Sequence, residues 1–280
     1  MPGCRSLSTA DLFSLEGRVA VVTGGSGALG SAMAAALAEA GAAVGVLARD
    51  RARLDETVAQ IGGRAFGLEA DVLDRGALER ARDSVLERRG RLDVLVNAAG
   101  GNVPEATTSP DESFFDLPAS ALDAVWALNL QGTVLACQVF GPALAAEVDD
   151  TGSRAIVNVS SLAAGSALTR VAGYGAAKAA IENLTRWLAV DLAQRYGDRL
   201  RVNAIAPGFV VGAQNRALLL DADGGLTERG RTIVARTPAG RLGEPADLVT
   251  TLLWLCSPAS RFVTGVVVPV DGGFSAWSGV

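Results

Sequence analysis

The chain has 280 residues, 49% hydrophobic and 20% charged, with 33 Gly and 10 Pro, a composition of globular and not disordered protein. With 25 basic against 30 acidic residues it is net -5, which excludes a phosphate-neutralising nucleic-acid groove as its main business. There is no histidine, which removes Ser-His-Asp and Cys-His catalysis and imidazole zinc sites, and Cys4, Cys137 and Cys256 fit neither a disulfide framework nor a metal-ligand spacing.

In chain order, Met1 to Leu15 lacks a signal-peptide pattern and reads as a short surface extension. Val19–Thr23 is a continuous apolar run, the mark of a strand buried on both faces of a parallel sheet. The Ala-rich helix Leu29–Ala40 follows and stops at Gly41. Strand Ala43–Leu47, helix Ala52–Ile61, strand Ala65–Leu68, helix Arg75–Arg89 and strand Val94–Asn97 continue the alternation. A loop rich in Pro, Thr, Ser and Asp (Gly101–Pro118) leads to one long helix, Ser120 to Ala146. Then come strand Ala155–Val159, a second long helix Val171–Arg195, strand Val202–Ile205, an irregular segment to Arg241, helix Pro245–Cys256 and strand Val266–Val270. The stretch nearest in character to a membrane span, Ala32 to Ala48, is interrupted by Glu39 and Gly41 and changes from helix to strand midway, so the expectation is a soluble, cytoplasmic protein. Seven strands with helical crossovers predict an α/β fold, a single doubly wound Rossmann-type domain over 1–280 with helices on both faces of a parallel sheet.

Between the first strand and the first helix stands Thr23-Gly24-Gly25-Ser26-Gly27-Ala28-Leu29-Gly30, the strand–turn–helix context of a dinucleotide fingerprint. Glycines let the backbone approach a pyrophosphate, whose charge then rests on free N–H groups at the helix start. At the end of strand two an acid binds the ribose hydroxyls of NAD, whereas an arginine nearby accommodates the phosphate of NADP. Ala48 at the acidic position and Arg49 beside it favour NADP(H); a one-residue shift would bring in Asp50 and NAD(H).

The only lysine, Lys178, stands four residues after Tyr174, one of two tyrosines, which puts both on one helix face. Hydride transfer to a carbonyl needs a proton donor beside the oxygen, and a neighbouring ammonium would lower the tyrosine pKa toward that task. Ser161, thirteen residues before the tyrosine at a strand end, supplies a hydroxyl to hold the substrate oxygen.

These pieces together resemble the short-chain dehydrogenase/reductase family over roughly Leu15 to Val280: the turn at 23–30, Asp71-Val72, Asn97-Ala98-Ala99-Gly100, Asn129, Ser161, Tyr174 with Lys178, and Pro207-Gly208. The resemblance implies a nicotinamide cofactor bound by Gly24, Ser26, Gly27, Ala28, Leu29, Gly30, Arg49, Asp71, Val72, Asn97, Ala98, Ala99, Gly100, Tyr174, Lys178, Pro207 and Gly208. It implies Tyr174 as acid/base, Lys178 on the nicotinamide ribose, Ser161 on the carbonyl, and Asn129 holding a water that relays protons to Lys178. Two positions depart from the pattern: Ala28 replaces the second glycine of the turn, and Gly212 stands where a threonine is frequent. Ala99-Gly100-Gly101-Asn102, Phe114-Phe115-Asp116-Leu117, Gln214-Asn215-Arg216 and the ending Val270 to Val280 resemble the D-mannonate oxidoreductase (fructuronate reductase) subgroup. That likeness implies a small-molecule substrate of keto or hydroxy sugar-acid type. Asn102, Gln214, Asn215 and Arg216 are its candidate contacts, with Arg216 on the carboxylate and 212–241 as a substrate loop. A ketoacyl or other carbonyl reductase is the alternative within the class, and a non-catalytic dinucleotide-sensing regulator the alternative outside it. The two long helices carry Trp126 and Trp187 on apolar faces, and the family's habit of pairing such helices implies a homotetramer.

Overall fold

The computed structural model describes residues 8–146, 154–212 and 215–278. In chain order the elements are α1 (Thr9–Phe13), β1 (Val19–Thr23), α2 (Ala28–Glu39), β2 (Ala43–Ala48), α3 (Arg51–Ile61), β3 (Ala65–Glu69), α4 (Arg75–Arg89), β4 (Val94–Asn97), α5 (Ala119–Trp126), α6 (Gly132–Ala145), β5 (Arg154–Val159), α7 (Ala172–Tyr196), β6 (Leu200–Pro207), α8 (Arg216–Leu219), α9 (Glu228–Ala235), α10 (Val249–Cys256) and β7 (Val267–Val270). The seven strands form one sheet in the order β3-β2-β1-β4-β5-β6-β7, every pairing parallel. This is the doubly wound arrangement expected from the alternation, and its order reverses between β1 and β4, where such sheets open a crevice at the strand C-termini.

The apolar runs form strands because both faces are covered: β1, β4, β5 and β6 are buried at every residue. One face packs Met33 and Leu37 of α2, Leu54 of α3 and Leu252 and Leu255 of α10 against Val22, Val96 and Val157. The other packs Leu78 and Val85 of α4, Phe140 and Leu144 of α6 and Ala189 of α7 against Val21, Leu95 and Ile156. Asp50 and Asp74 cap α3 and α4 by accepting from Arg53 N and Ala77 N, and Gly90 ends α4 in the left-handed conformation.

Four expectations change. The long helix from Ser120 is continuous over 119–145 but not α-helical throughout: a π-helical turn, Ala127–Gln131, in which Gly132 N–H bonds Ala127 O, separates α5 from α6. The irregular segment before Arg241 contains α8 and α9. Among the described residues the helix long and apolar enough to cross a membrane, by length and composition alone, is 119–145, whereas 32–48 divides into α2 and β2. The N-terminal surface character ends before Leu15, which is fully buried and donates its N–H to Ala40 O at 2.9 Å. Residues 1–7, with Cys4, lie outside the described residues.

Candidate active site

A cleft of about 450 Å³ runs along the C-terminal ends of β1, β2, β4, β5 and β6. Its floor is the turn after β1. Gly24 has φ +63°, and a Cβ there would lie 2.7 Å from Ala99 Cα, so the turn is pressed onto the strand-β4 exit. A Cβ on Gly30 would lie 2.3 Å from Gly24 O, whereas one on Gly27 would meet only Gly24 O at 3.3 Å. Gly27 caps α2 with no side-chain bond, which leaves the N–H groups of the first helical turn to the cleft that Ser26, Gly27, Ala28, Leu29 and Gly30 line. Free donors on a positive helix end, with no side chain in the way, fit a pyrophosphate.

At the far end of β2, Arg49, Asp50 and Arg53 line the cleft. The Asp50 carboxylate is engaged as the α3 cap at 3.1 Å from Arg53 N. Arg53 donates to Ser26 O at 3.0 Å, and Arg49 lies 3.5 Å from Asp71 in an exposed pair of little energetic weight. Arg53 is a site residue that the motif reading missed; its place at the third position of α3, after an N-cap aspartate, was the available signal.

The opposite end holds Val159, Ser160, Ser161, Tyr174 and Lys178. Ser161 begins a 3₁₀ turn, Leu162–Ala164, its hydroxyl accepting from Ala163 N at 3.2 Å. Tyr174 and Ser161 line this end of the cleft together, and Tyr174 packs against the small cluster of Ala106, Ala121 and Val125. Burial pushes the Tyr174 pKa above its ordinary value, with the neighbouring Ser161 hydroxyl opposing it. The expected depression by Lys178 is therefore not what dominates among the protein's own groups. Lys178 Nζ lies 5.5 Å from the Tyr174 ring centroid and donates to Val159 O at 2.8 Å, and burial lowers its pKa to about 8.

Asn129 sits in the π turn, fully buried behind the cleft wall. Its amide donates to Gly101 O at 2.7 Å and Val125 O at 2.8 Å and accepts from Gly101 N at 3.1 Å, while its own carbonyl accepts from Thr133 at 2.8 Å. A Cβ on Gly100 would meet Asn129 Oδ1 at 2.6 Å and Lys178 Nζ at 3.1 Å, so amide and amine converge across that glycine.

Of the other expected cofactor residues, Val72, Ala98, Ala99, Gly100, Pro207 and Gly208 line the cleft. Asn97 does not: it is buried on the opposite face, donating to Asn158 at 2.9 Å beside Cys137, because alternate strand residues face opposite sides. Asp71 also stands outside the lining, its carboxylate taken by Leu73 N and Arg49. Among the substrate candidates, Asn215 lines the cleft but spends its amide bracing the turn at Gly212 and Val210. Asn102 folds back on Thr107 at 2.7 Å, Arg216 is exposed outside the lining, and Gln214 lies outside the described residues.

Residues 25–275 match a short-chain dehydrogenase family model described as Enoyl-(Acyl carrier protein) reductase. An uncharacterized oxidoreductase of Bacillus subtilis is 47% identical over 279 residues, covering 95% of this chain and 98% of the relative. A crystal structure of a candidate D-mannonate oxidoreductase from Haemophilus influenzae with bound NAD is 39% identical, with TM-score 0.87 over 98% of this chain and 100% of that one. The Pseudomonas aeruginosa RhlG/NADP complex is 32% identical, with TM-score 0.84 over 95% of this chain and 99% of that one. Fold, cleft and these likenesses agree: the chain belongs to the short-chain dehydrogenase/reductase family, nicotinamide-dependent oxidoreductases that interconvert CH–OH and C=O.

Proposed function

We propose that the protein reduces the ketone of a sugar acid or related polyhydroxy carbonyl, of D-fructuronate/D-mannonate type, with NADP(H) favoured over NAD(H). The observation that carries the chemistry is the convergence of Tyr174, Ser161 and Lys178 at one end of a cleft floored by the glycine turn. The nicotinamide supplies the hydride when bound. Tyr174, protonated and half-buried, donates a proton to the substrate oxygen that Ser161 orients. Lys178 holds the ribose side of the site, and Asn129 fixes the Gly100–Gly101 wall against which that chemistry occurs. The cofactor preference is supported by Asp50 being committed to capping α3, which leaves Arg49 and Arg53 as the charged side chains of the adenosine end. The substrate class is supported by the similarity to the candidate D-mannonate oxidoreductase. The domain is read as a single unit with 212–241 as its substrate loop, the assembly as a homotetramer, and the setting as the reducing cytoplasm, which suits the free thiols Cys137 and Cys256.

The test is oxidation of NADPH and NADH side by side with D-fructuronate. We expect turnover, faster with NADPH, and loss of at least about a thousandfold in kcat in Tyr174→Phe with cofactor affinity retained. Full activity in that variant would overturn the chemistry, and faster turnover with NADH would reverse the cofactor assignment.

A further inference from the structure

Three segments leave the C-terminal ends of β4, β5 and β6, and they meet at one point. Arg170, in the loop between Ser161 and Tyr174, donates from Nε to Thr108 O at 3.1 Å and accepts from Thr108 N at 3.0 Å. That reciprocal clamp ties it to the loop after β4, two residues beyond Ala106, a member of the cluster against which Tyr174 packs. Arg229 of α9, from the segment after β6, reaches Thr169 at 3.5 Å. Two guanidinium groups thus converge from different segments beside the Tyr174 loop.

Three features set this pair apart. Arg170 has φ +81°, and among the described residues it is the one non-glycine residue at positive φ. Such strain persists where surrounding contacts hold it and concentrates at ligand clamps. Neither arginine forms an ion pair with a carboxylate among the described residues, although Arg51, Arg64, Arg75, Arg186, Arg195 and Arg241 all do. Arg229 is partly buried, and both that burial and the charge of Arg170 disfavour its ionised form. Like charges brought together without a counter-charge repel, and an anion between them reverses the sign of the interaction.

We propose that Arg170 and Arg229 form the anion subsite that takes the substrate's carboxylate beside the Tyr174–Ser161 pair, and so set the preference for an acid over a neutral carbonyl. This rests on reading the cleft as a carbonyl-reducing site. It replaces Arg216, which is exposed whereas Arg170 and Arg229 are partly buried at the margin of the cleft, as the carboxylate partner. The planar guanidinium forks suit bidentate recognition of a carboxylate, and their attachment to separate segments makes the bound anion a cross-link between the loop after β4 and α9.

The experiment titrates the full chain, with NADP+ and NAD+ both present at constant ionic strength, with D-mannonate, 4-oxopentanoate, D-mannitol and sodium sulfate. Two variants are compared with the wild type: Arg229→Gln, and Arg170→Gly, which removes the guanidinium at a backbone conformation glycine adopts without strain. We expect both variants to bind the carboxylates roughly tenfold more weakly, with D-mannitol and cofactor affinity unchanged. If D-mannonate fails with the wild type while 4-oxopentanoate binds and is weakened by the variants, the subsite stands and the sugar-acid reading falls. Equal carboxylate affinity in the wild type and both variants overturns the proposal. So does sulfate binding that the variants weaken while neither carboxylate responds, which would make the pair a site for free inorganic anions.

Discussion

Lys178 is buried in the cleft wall, its amine held on Val159 O. Its pKa falls from 10.5 to about 8 through burial. Between about pH 8 and 10.5 the unfolded chain therefore keeps a proton that the folded chain has released, so this group makes stability rise with pH across that window. Below about pH 8 the folded state carries the full penalty of a buried ammonium, about 3 kcal/mol. Lys178→Met should abolish that rise, read as the difference in denaturation midpoint between pH 7 and pH 9.5; an identical rise in the variant would show that Lys178 is not its source. The chemistry at this scale was legible in the sequence because it is local: a tyrosine and the only lysine four apart on a helix, and a serine at a strand end. What depended on direction was not. Asn97 lies in the expected tetrapeptide but points to the far side of the sheet, and Arg53 joins the cleft only because Asp50 starts a helix there.

At the scale of elements, the β1–α2 turn shows how glycines with one apparent role divide into two. A methyl at Gly30 would collide with Gly24 O at 2.3 Å, so Gly30→Ala should destabilise the fold by about 1–3 kcal/mol and weaken cofactor binding with it. A methyl at Gly27 meets that oxygen only at 3.3 Å, but it stands where the pyrophosphate approaches the helix end. Gly27→Ala should therefore melt within a few degrees of wild type while losing roughly tenfold in cofactor affinity. Thermal melts with parallel cofactor titrations check both, and parallel losses of stability and affinity in the two variants would refute the distinction. The π turn between α5 and α6 carries the opposite lesson. The run from Ser120 to Ala146 reads as uninterrupted helix, and its π turn is held by the bonds of Asn129 to Gly101, twenty-eight residues away, a tertiary contact invisible to periodicity.

Across the whole molecule the two ends of the sheet serve different purposes. At the N-terminal ends of the strands the buried carboxylate of Asp93 accepts from Val19 N at 2.9 Å and pairs with Arg18 at 3.1 Å, with Arg154 at 3.8 Å, binding β1, β4 and β5 together. That rigid end leaves the C-terminal loops to shape the cleft. Alternation of strand and helix was enough to read this architecture, because each buried strand had to be covered on both faces. An apolar groove is left open on one face. A groove of about 580 Å³ between α6 and α7, lined by Val134, Pro142, Ile156, Trp187 and Leu188, lies open, and Trp187 and Val190 are 61% and 59% exposed. Apolar area of this kind on two long helices suits a subunit interface. Light scattering should find a tetramer, and Trp187→Glu should shift it to smaller species; a wild-type monomer would refute that assembly.

The placement of Lys178 has a practical corollary. It is the only side-chain amine in the chain, and it lines the cleft. With a pKa near 8, about half of it is in the free-base form at pH 8, a far larger share than an ordinary surface lysine would offer. Among its side chains the protein thus carries a single amine to acylate, at the nicotinamide end of its site. Amine-reactive reagents become occupancy probes, and the rate at which this one position is modified reports whether the cleft is filled without any substrate having to be known.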